Sequence, residues 1–148
     1  LCAQVLALST KNVLCVGRHQ WKLDLLSLRG VQGQLSDAPL EPGADLVVEA
    51  TGRTGGLARA LELVRPEGTV VLKTTVAETE PLDTSIPVIN EVRLVGSRCG
   101  PFRPALEALA RGAVEVRPMV TEAYDLREGV HAMTRAGAPG VMKVLLRM

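Results

Sequence analysis

Residues 45–52 read Asp45-Leu46-Val47-Val48-Glu49-Ala50-Thr51-Gly52, and this stretch decides the predicted fold. A short apolar run between two acidic residues, closed by Thr-Gly, is typical of a strand that is buried on both faces of a sheet. Residues 54–65 then repeat apolar side chains at the spacing of a helix with one apolar face. The apolar positions are Leu57, Ala58, Leu61 and Val64.

A second strand is predicted directly after this helix. Pro66 ends the helix, and Gly68 turns the chain into the segment GTVVLKTT at residues 68–75. A strand, a helix and a strand within about 30 residues form a βαβ unit with parallel strands and a right-handed crossover. Ligands of open parallel sheets bind beyond the carboxyl ends of the strands. We therefore expect a binding site at residues 50–52 and 73–75.

Similar elements are predicted on both sides of this unit, so the chain is predicted to be an α/β protein. Upstream, we expect a helix at 1–9, a strand at 12–17, a helix at 21–29 and a short strand at 31–35. Downstream, we expect a polar excursion at 76–87, a strand within 88–96, a helix at 101–111, an edge strand at 114–123, a helix at 125–136 and a closing strand at 141–148.

The composition argues against several classes of function. A formal net charge of +1 and only three aromatic residues argue against a nucleic-acid partner. The apolar runs are far shorter than the roughly 20 residues that a membrane span needs, so no membrane partner is expected. Three widely spaced cysteines predict buried free thiols and a reducing, cytoplasmic location: Cys2, Cys15 and Cys99.

Several segments carry a resemblance to a known family. They are GRHQWKL, DLVVEATGRTGGLARALELVRPEGTVVLKTT, NEVRLVGSRCGPF and TEAYDLREGVHAMTRAGAPGVMKVLL. In this order and spacing they resemble the medium-chain dehydrogenase/reductase family, which includes the zinc-type alcohol, polyol and threonine dehydrogenases. The resemblance covers essentially the whole chain. It implies a Rossmann-like parallel sheet over residues 1–113 and a segment at 114–148 that returns to the catalytic domain.

Two parts of the family pattern are absent from the sequence. No G-x-G-x-x-G turn occurs, and neither the first Rossmann strand nor the N-terminal domain that carries the zinc ligands is found. That first strand is central in the family's sheet, so we expect an unpaired edge on the strand at 12–17 and on the strand at 45–49. The resemblance implies the C-terminal, cofactor-binding portion of a longer NAD(P)-dependent alcohol or polyol dehydrogenase, inactive alone, with zinc expected only in the absent domain.

The end of the strand at 12–17 favours NADP over NAD. NAD-binding members place an acidic residue there, which accepts hydrogen bonds from the ribose hydroxyls. Here Gly17 holds that position, followed by Arg18 and, four residues later, Lys22. Loss of the carboxylate removes repulsion against a 2′-phosphate, and a guanidinium offers it a bidentate clamp. The alternatives are that NAD is the cofactor, or that Arg18 is a solvated residue after a strand.

The remaining candidate cofactor residues follow the other strands, and their roles are implied by the resemblance. The first turn would lie near the adenosine and its ribose, the two later loops would face the nicotinamide, and the final lysine would reach the pyrophosphate. They are Ala50, Thr51, Gly52, Lys73, Thr74, Thr75, Gly96, Ser97, Arg98 and Lys143. An ordinary turn, a surface or subunit contact of Arg98 and an exposed Lys143 remain alternatives.

Other reactive side chains receive structural interpretations. Glu49 has no neighbouring histidine or second acid, so a structural acid that is hydrogen-bonded at a strand end is favoured over a catalytic acid. His19 and His131 lack ligand-like spacing, and Cys99 lacks a paired histidine. We therefore assign no catalytic residue and no metal ligand to this chain.

Three hypotheses of function remain. The first is the cofactor-binding portion of a dehydrogenase, whose partners are a nicotinamide dinucleotide, a small alcohol or carbonyl substrate, and a second copy of the chain in a homo-oligomer. The family commonly forms dimers through its last sheet strands. The second is a non-catalytic nucleotide-binding or scaffolding module, which would close its sheet without the central strand. The third is a zinc-free relative of the quinone reductase type, which upstream Cys, His and acidic ligands would exclude.

Overall fold

The chain forms two compact units built on parallel β-strands. The residues that the computed structural model describes are 1–27, 30–76 and 81–148. Unit 1 comprises Leu1–Ala38 with Phe102–Met148, and unit 2 comprises Pro39–Pro101. The predicted helix end at 28–29 and residues 77–80 of the predicted excursion lie outside the described residues.

The helices and strands alternate along most of the chain. In order they are α1 (Cys2–Leu6), β1 (Leu14–Gly17), α2 (Gln20–Ser27), β2 (Gln32–Leu35), β3 (Ala44–Glu49), α3 (Gly56–Leu63), β4 (Val64–Leu72), α4 (Ser85–Ile89), β5 (Arg93–Gly96), α5 (Phe102–Ala110), β6 (Glu122–Asp125), α6 (Gly129–Ala136) and β7 (Val144–Arg147). In the part of the chain that the structure describes, no helix combines the length and apolar character that crossing a bilayer would take.

Unit 2 contains the predicted βαβ unit. Strands β3, β4 and β5 form a parallel sheet in that order, and α3 connects the first two. One side of α3 packs against the sheet because its apolar residues share a face: Ala60 and Leu61 are buried with Val64 and Val70. The predicted parallel pairing of these strands is confirmed.

The predicted boundary between α3 and β4 is wrong. The helix ends at Leu63, and Pro66 lies within β4 rather than terminating the helix. Val64 pairs with Ala44 and Thr69 pairs with Leu46, so residues 65–68 bulge out of the ladder. A bulge accepts proline, which has no backbone N–H, because the ladder requires no hydrogen-bond donor at that position.

The two predicted unpaired edges are present. Among the described strands, β1 pairs only with β2, and β3 pairs only with β4.

Four further expectations need correction. The strand at 45–49 was predicted to be buried on both faces, but Ala44, Asp45 and Leu46 are exposed, because the β3 residue that packs against the apolar cluster of α3 and β4 is Val47. Cys99 is exposed, whereas Cys2 and Cys15 are half-buried.

The remaining two corrections concern the C-terminal segment. The strand expected at 114–123 begins only at Glu122, because Pro118 lies in a short 3₁₀ turn at Arg117–Met119. The closing strand begins at Val144, so Lys143 precedes it.

A buried glutamine connects the two chain segments of unit 1. The Gln4 side chain is 3% exposed. Its Nε2 donates to the Glu115 carbonyl at 3.0 Å, and its Oε1 accepts from the Glu115 N–H at 2.7 Å. The side-chain amide thus satisfies both backbone groups of Glu115, as a neighbouring strand would.

Replacement of Gln4 by Ala should lower the free energy of unfolding by about 1–3 kcal/mol, because it leaves the partly buried N–H and carbonyl of Glu115 without their partner. Urea denaturation of both proteins measures the difference. The matched control is Gln20→Ala, since Gln20 bonds the Asp24 carboxylate on the exposed surface of α2. An equal loss in both variants would contradict this role of Gln4.

Unit 1 also contains a polar cluster between β6 and α6. Glu122 accepts hydrogen bonds from Arg135 and, at 2.5 Å, from the Tyr124 hydroxyl. The His131 ring meets the Tyr124 ring edge-on at 5.1 Å between centroids. The Arg135 bond, followed by the Tyr124 bond, lowers the pKa of Glu122 to about 2. The same carboxylate raises the pKa of Tyr124.

This cluster predicts acid sensitivity of the fold. A carboxyl group whose pKa is depressed on folding stabilises the folded state above its unfolded pKa, and this stabilisation is lost as the pH falls toward its folded pKa. The stability difference between the wild type and Glu122→Gln should therefore be largest above about pH 5 and should shrink toward pH 2. Thermal unfolding from pH 7 to pH 2 tests this, and a pH-independent difference would contradict it.

Candidate functional site

The carboxyl ends of the three strands in unit 2 lie side by side. In the register of the sheet, Glu49 is opposite Leu72, and Leu72 is opposite Gly96. The ladder continues one step further, because the Lys73 N–H donates to the Glu49 carbonyl and the Ser97 N–H donates to the Leu72 carbonyl, both at 2.9 Å. The residues after each strand therefore leave the sheet at a common edge, which we call the carboxyl edge.

The carboxyl edge brings together the candidate residues predicted in unit 2. A Cβ on Gly52 would lie 3.5 Å from Cγ2 of Thr74, so the first two loops are in contact. The Lys73 ammonium donates to the Arg98 carbonyl at 2.7 Å, which connects the second loop to the third. Gly96, Arg98 and Thr75 are exposed, and Ser97 is half-buried.

A buried carboxylate holds the first of these loops. Glu49 is 6% exposed. Its Oε1 accepts from the Thr51 N–H at 2.7 Å and from the Thr51 hydroxyl at 2.5 Å. The hydrogen bonds that the sequence predicted for Glu49 at the end of the strand are thus present, and its structural role stays a prediction.

The start of α3 fits closely against this carboxylate. A Cβ on Gly56 would lie 2.5 Å from Oγ1 of Thr51 and 2.6 Å from Oε1 of Glu49. Gly52 and Gly55 have φ angles of +69° and +84°. Only glycine adopts these angles readily, so the turn between β3 and α3 depends on glycine at three positions.

In unit 1, the residues predicted at the end of β1 begin a helix. The His19 carbonyl accepts from the Lys22 N–H at 3.0 Å, which starts α2. Arg18 is exposed and forms no hydrogen bond or ion pair with the described residues. Its guanidinium is therefore available to an external anion.

Gly17 has a packing role that the sequence did not indicate. A Cβ on Gly17 would lie 3.1 Å from Cδ2 of Leu23, and one on Gly33 would lie 2.9 Å from Cβ of the same leucine. These two glycines let α2 pack closely on the sheet of β1 and β2. Close packing against Leu23 thus accounts for glycine at position 17 independently of the predicted preference for NADP.

The other two basic candidates of unit 1, Lys22 and Lys143, both make contacts within the chain. The Lys22 ammonium lies 5.2 Å from the centroid of the Trp21 ring, within cation–π range. Lys143 is exposed, and its carbonyl accepts from the Thr121 N–H at 2.8 Å.

The site geometry suits binding. The Glu49 carboxylate is hydrogen-bonded to Thr51 within the first loop of the carboxyl edge, and small or basic residues supply the exposed groups there. The described residues do not gather three His, Cys, Asp or Glu side chains that could hold a metal ion. We therefore derive no reaction step through zinc on this chain.

Sequence reasoning missed Gly56, whose role arises from contacts with Glu49 and Thr51. The signal was present as the glycine pair Gly55-Gly56 at the start of the helix with one apolar face. Glycine pairs at a strand-to-helix turn indicate close packing around the turn.

Comparison with known proteins identifies similar chains. A putative D-xylulose reductase of Rhizobium meliloti (strain 1021) is 30% identical over 110 residues, which are 72% of this chain and 32% of that protein. The zinc-type alcohol dehydrogenase-like protein YdjL of Escherichia coli (strain K12) is 36% identical over 96 residues, 60% of this chain and 26% of that protein. The chain thus spans about a third or less of the length of these relatives. No family model matches the chain.

Solved structures share the fold over nearly the whole chain. A putative zinc-binding dehydrogenase of Sinorhizobium meliloti 1021, bound to NADP, superposes with a TM-score of 0.86 at 24% identity over 99% of this chain and 48% of that one. A protein of Escherichia coli CFT073 described as a short chain alcohol dehydrogenase, complexed with NADH, gives a TM-score of 0.84 at 20% identity over 99% of this chain and 48% of that one.

These similarities and the parallel α/β topology define a Rossmann-type fold. The chain belongs to the medium-chain dehydrogenase/reductase family, and the relatives that it matches are named as zinc-type alcohol and polyol dehydrogenases or reductases. The resemblance predicted from the sequence is confirmed.

The contacts of Gly56 predict a test of the first loop. Gly56 and Gly129 are the first residues of α3 and α6, and a Cβ on Gly129 would meet no atom within 4 Å. Gly129→Ala should be neutral or stabilise the fold by up to about 1 kcal/mol, as alanine in place of glycine does in helices. Gly56→Ala should instead destabilise it by about 1–3 kcal/mol, because its methyl group displaces Thr51 and Glu49. Thermal unfolding measures both, and an equal response of the two variants would contradict the close fit.

Proposed function

We propose that this chain is the cofactor-binding portion of an NADP-dependent alcohol or polyol dehydrogenase. The observation that carries the proposal is the alignment of three strand ends at the carboxyl edge, where parallel sheets of this class bind dinucleotides. Membership of a family of dehydrogenases supports it. When bound, the nicotinamide would supply hydride to a carbonyl or take it from an alcohol.

In unit 2, the loops of the carboxyl edge would hold the dinucleotide by shape and by backbone groups. The glycines of the first loop allow a nucleotide to approach the backbone closely. The hydroxyls of Thr75 and Ser97 can each donate and accept a hydrogen bond. The hydrogen bond from Lys73 to the Arg98 carbonyl fixes the second loop against the third.

In unit 1, we propose that Arg18 selects NADP by binding its 2′-phosphate. The exposed guanidinium has no internal partner among the described residues, and Gly17 provides no carboxylate to repel the phosphate. Lys22 would add a second positive charge four residues further on. NAD remains the alternative cofactor, and the NADH-bound neighbour of similar fold is the finding that favours it.

We also propose the following setting. Residues 1–113 would form the dinucleotide-binding domain, and residues 114–148 would return to a catalytic domain that carries zinc. A homodimer is supported by β5, the last strand of the unit 2 sheet, because all four of its residues are exposed. A cytoplasmic location is supported by three free thiols.

The test of cofactor choice is Arg18→Ala in the full-length protein. The dissociation constant of NADPH should rise about tenfold or more, the effect of losing a charged hydrogen bond, whereas that of NADH should change less than about twofold. Fluorescence titration with each cofactor measures both constants.

The matched control is Arg127→Ala, which removes an arginine with a side chain 96% exposed. It should leave both constants unchanged. Equal losses for the two cofactors in Arg18→Ala would overturn the assignment of NADP, and a wild type that binds neither cofactor would overturn the proposed function.

A further inference from the structure

The Glu49 carboxylate is a buried charged group for which the proposed function has no direct use. Burial of a carboxylate is costly unless hydrogen bonds or an opposite charge compensate it. No described residue forms an ion pair with Glu49, and both of its side-chain hydrogen bonds go to Thr51. A group maintained at that cost inside the fold needs an explanation.

The two hydrogen bonds act on the part of the first loop that turns toward solvent. Ala50, Thr51 and Gly52 are exposed, while Glu49 directly beneath them is buried. The Thr51 hydroxyl also accepts from the Arg53 N–H at 3.3 Å, which extends the network along the turn. The carboxylate therefore determines where the exposed backbone of this loop lies.

The surrounding packing leaves the carboxylate no alternative position. The backbone of Glu49 is held in the ladder, because its carbonyl accepts from the Lys73 N–H at 2.9 Å. On the other side, Gly56 leaves just enough space for Oε1 at the start of α3, where backbone N–H groups favour a negative charge. A fixed acceptor on a fixed strand end is suited to pre-organising a loop before a ligand arrives.

We propose that Glu49 is a positioning residue for cofactor binding, which holds the Ala50–Gly52 loop in its binding conformation through the N–H and the hydroxyl of Thr51. This inference rests on the proposed function. Glu49 would touch neither the cofactor nor the reacting atoms. Its removal should weaken cofactor binding, because the loop must then be ordered at the moment of binding.

Two substitutions separate this role from a general loss of stability. Glu49→Ala removes the acceptor of both hydrogen bonds. Glu49→Gln keeps a side-chain oxygen of nearly the same position and size, which can accept both bonds without a charge. The control is Glu62→Ala, which removes a carboxylate from the exposed face of α3, where it pairs with Arg59.

In the full-length protein, Glu49→Ala should raise the NADPH dissociation constant about tenfold or more, whereas Glu49→Gln should stay within about threefold of the wild type and Glu62→Ala should not change it. With any substrate alcohol that the wild type turns over, Glu49→Ala should raise the KM for the cofactor and change kcat less than about twofold. Hydrogen exchange should show faster exchange of the Thr51 amide in Glu49→Ala and unchanged exchange in Glu49→Gln.

The outcomes distinguish the two proposals. If the wild type binds cofactor and Glu49→Ala binds it equally well, the positioning role is wrong and the proposed function stands. If Glu49→Gln loses as much affinity as Glu49→Ala, the charge rather than the hydrogen bonds matters, which also overturns this role. If Glu49→Ala does not fold, the decision rests on Thr51→Val, which removes the bonds of the hydroxyl to Glu49 and to the Arg53 N–H but keeps the bond from the Thr51 N–H to Glu49. Unchanged affinity in that variant overturns the inference. A wild type without cofactor binding overturns the proposed function and this inference with it.

Discussion

The backbone hydrogen bonds among β3, β4 and β5 are the constraint on which the site depends. Their register places three strand ends at the carboxyl edge, and one further hydrogen bond beyond each ladder holds the following residue there. A shift of one residue in this register would turn each side chain to the opposite face and separate the loops. Every candidate contact in unit 2 follows from this alignment.

Within each unit, glycine makes close packing near a strand end possible, in two different ways. At Gly52 and Gly55 the backbone takes positive φ angles, so the constraint is conformational. At Gly56 and Gly17 the φ angle is ordinary, and the constraint is the space taken by Glu49, Thr51 or Leu23. In both units a helix therefore starts close to the end of a strand, which is the arrangement that dinucleotide-binding folds share.

The sequence predicted the existence and type of most elements because apolar periodicity reports which face of an element is buried. It failed at the end of α3, where Pro66 suggested a helix stop but lies in a bulge of β4. A bulge arises from the pairing of two strands, and the local pattern of residues in one strand does not reveal that pairing. The candidate residues of unit 2 directly follow strands, so the apolar pattern that predicted the strands also predicted the positions of these residues. The role of Gly56 was not, since it depends on the contact of Gly56 with the side chains of Glu49 and Thr51.

The division into units has a consequence for how the chain folds during synthesis. Unit 2 is one uninterrupted stretch, so all of its residues leave the ribosome before the second segment of unit 1 does. Unit 1 cannot complete its packing until residue 115 has been synthesised, because its Gln4–Glu115 pair joins positions 111 residues apart. Contacts at such separation form slowly, since the loop between them must close first. Unit 2 is therefore the part of the chain that can acquire its tertiary structure first during synthesis, and unit 1 is completed once its second segment has left the ribosome.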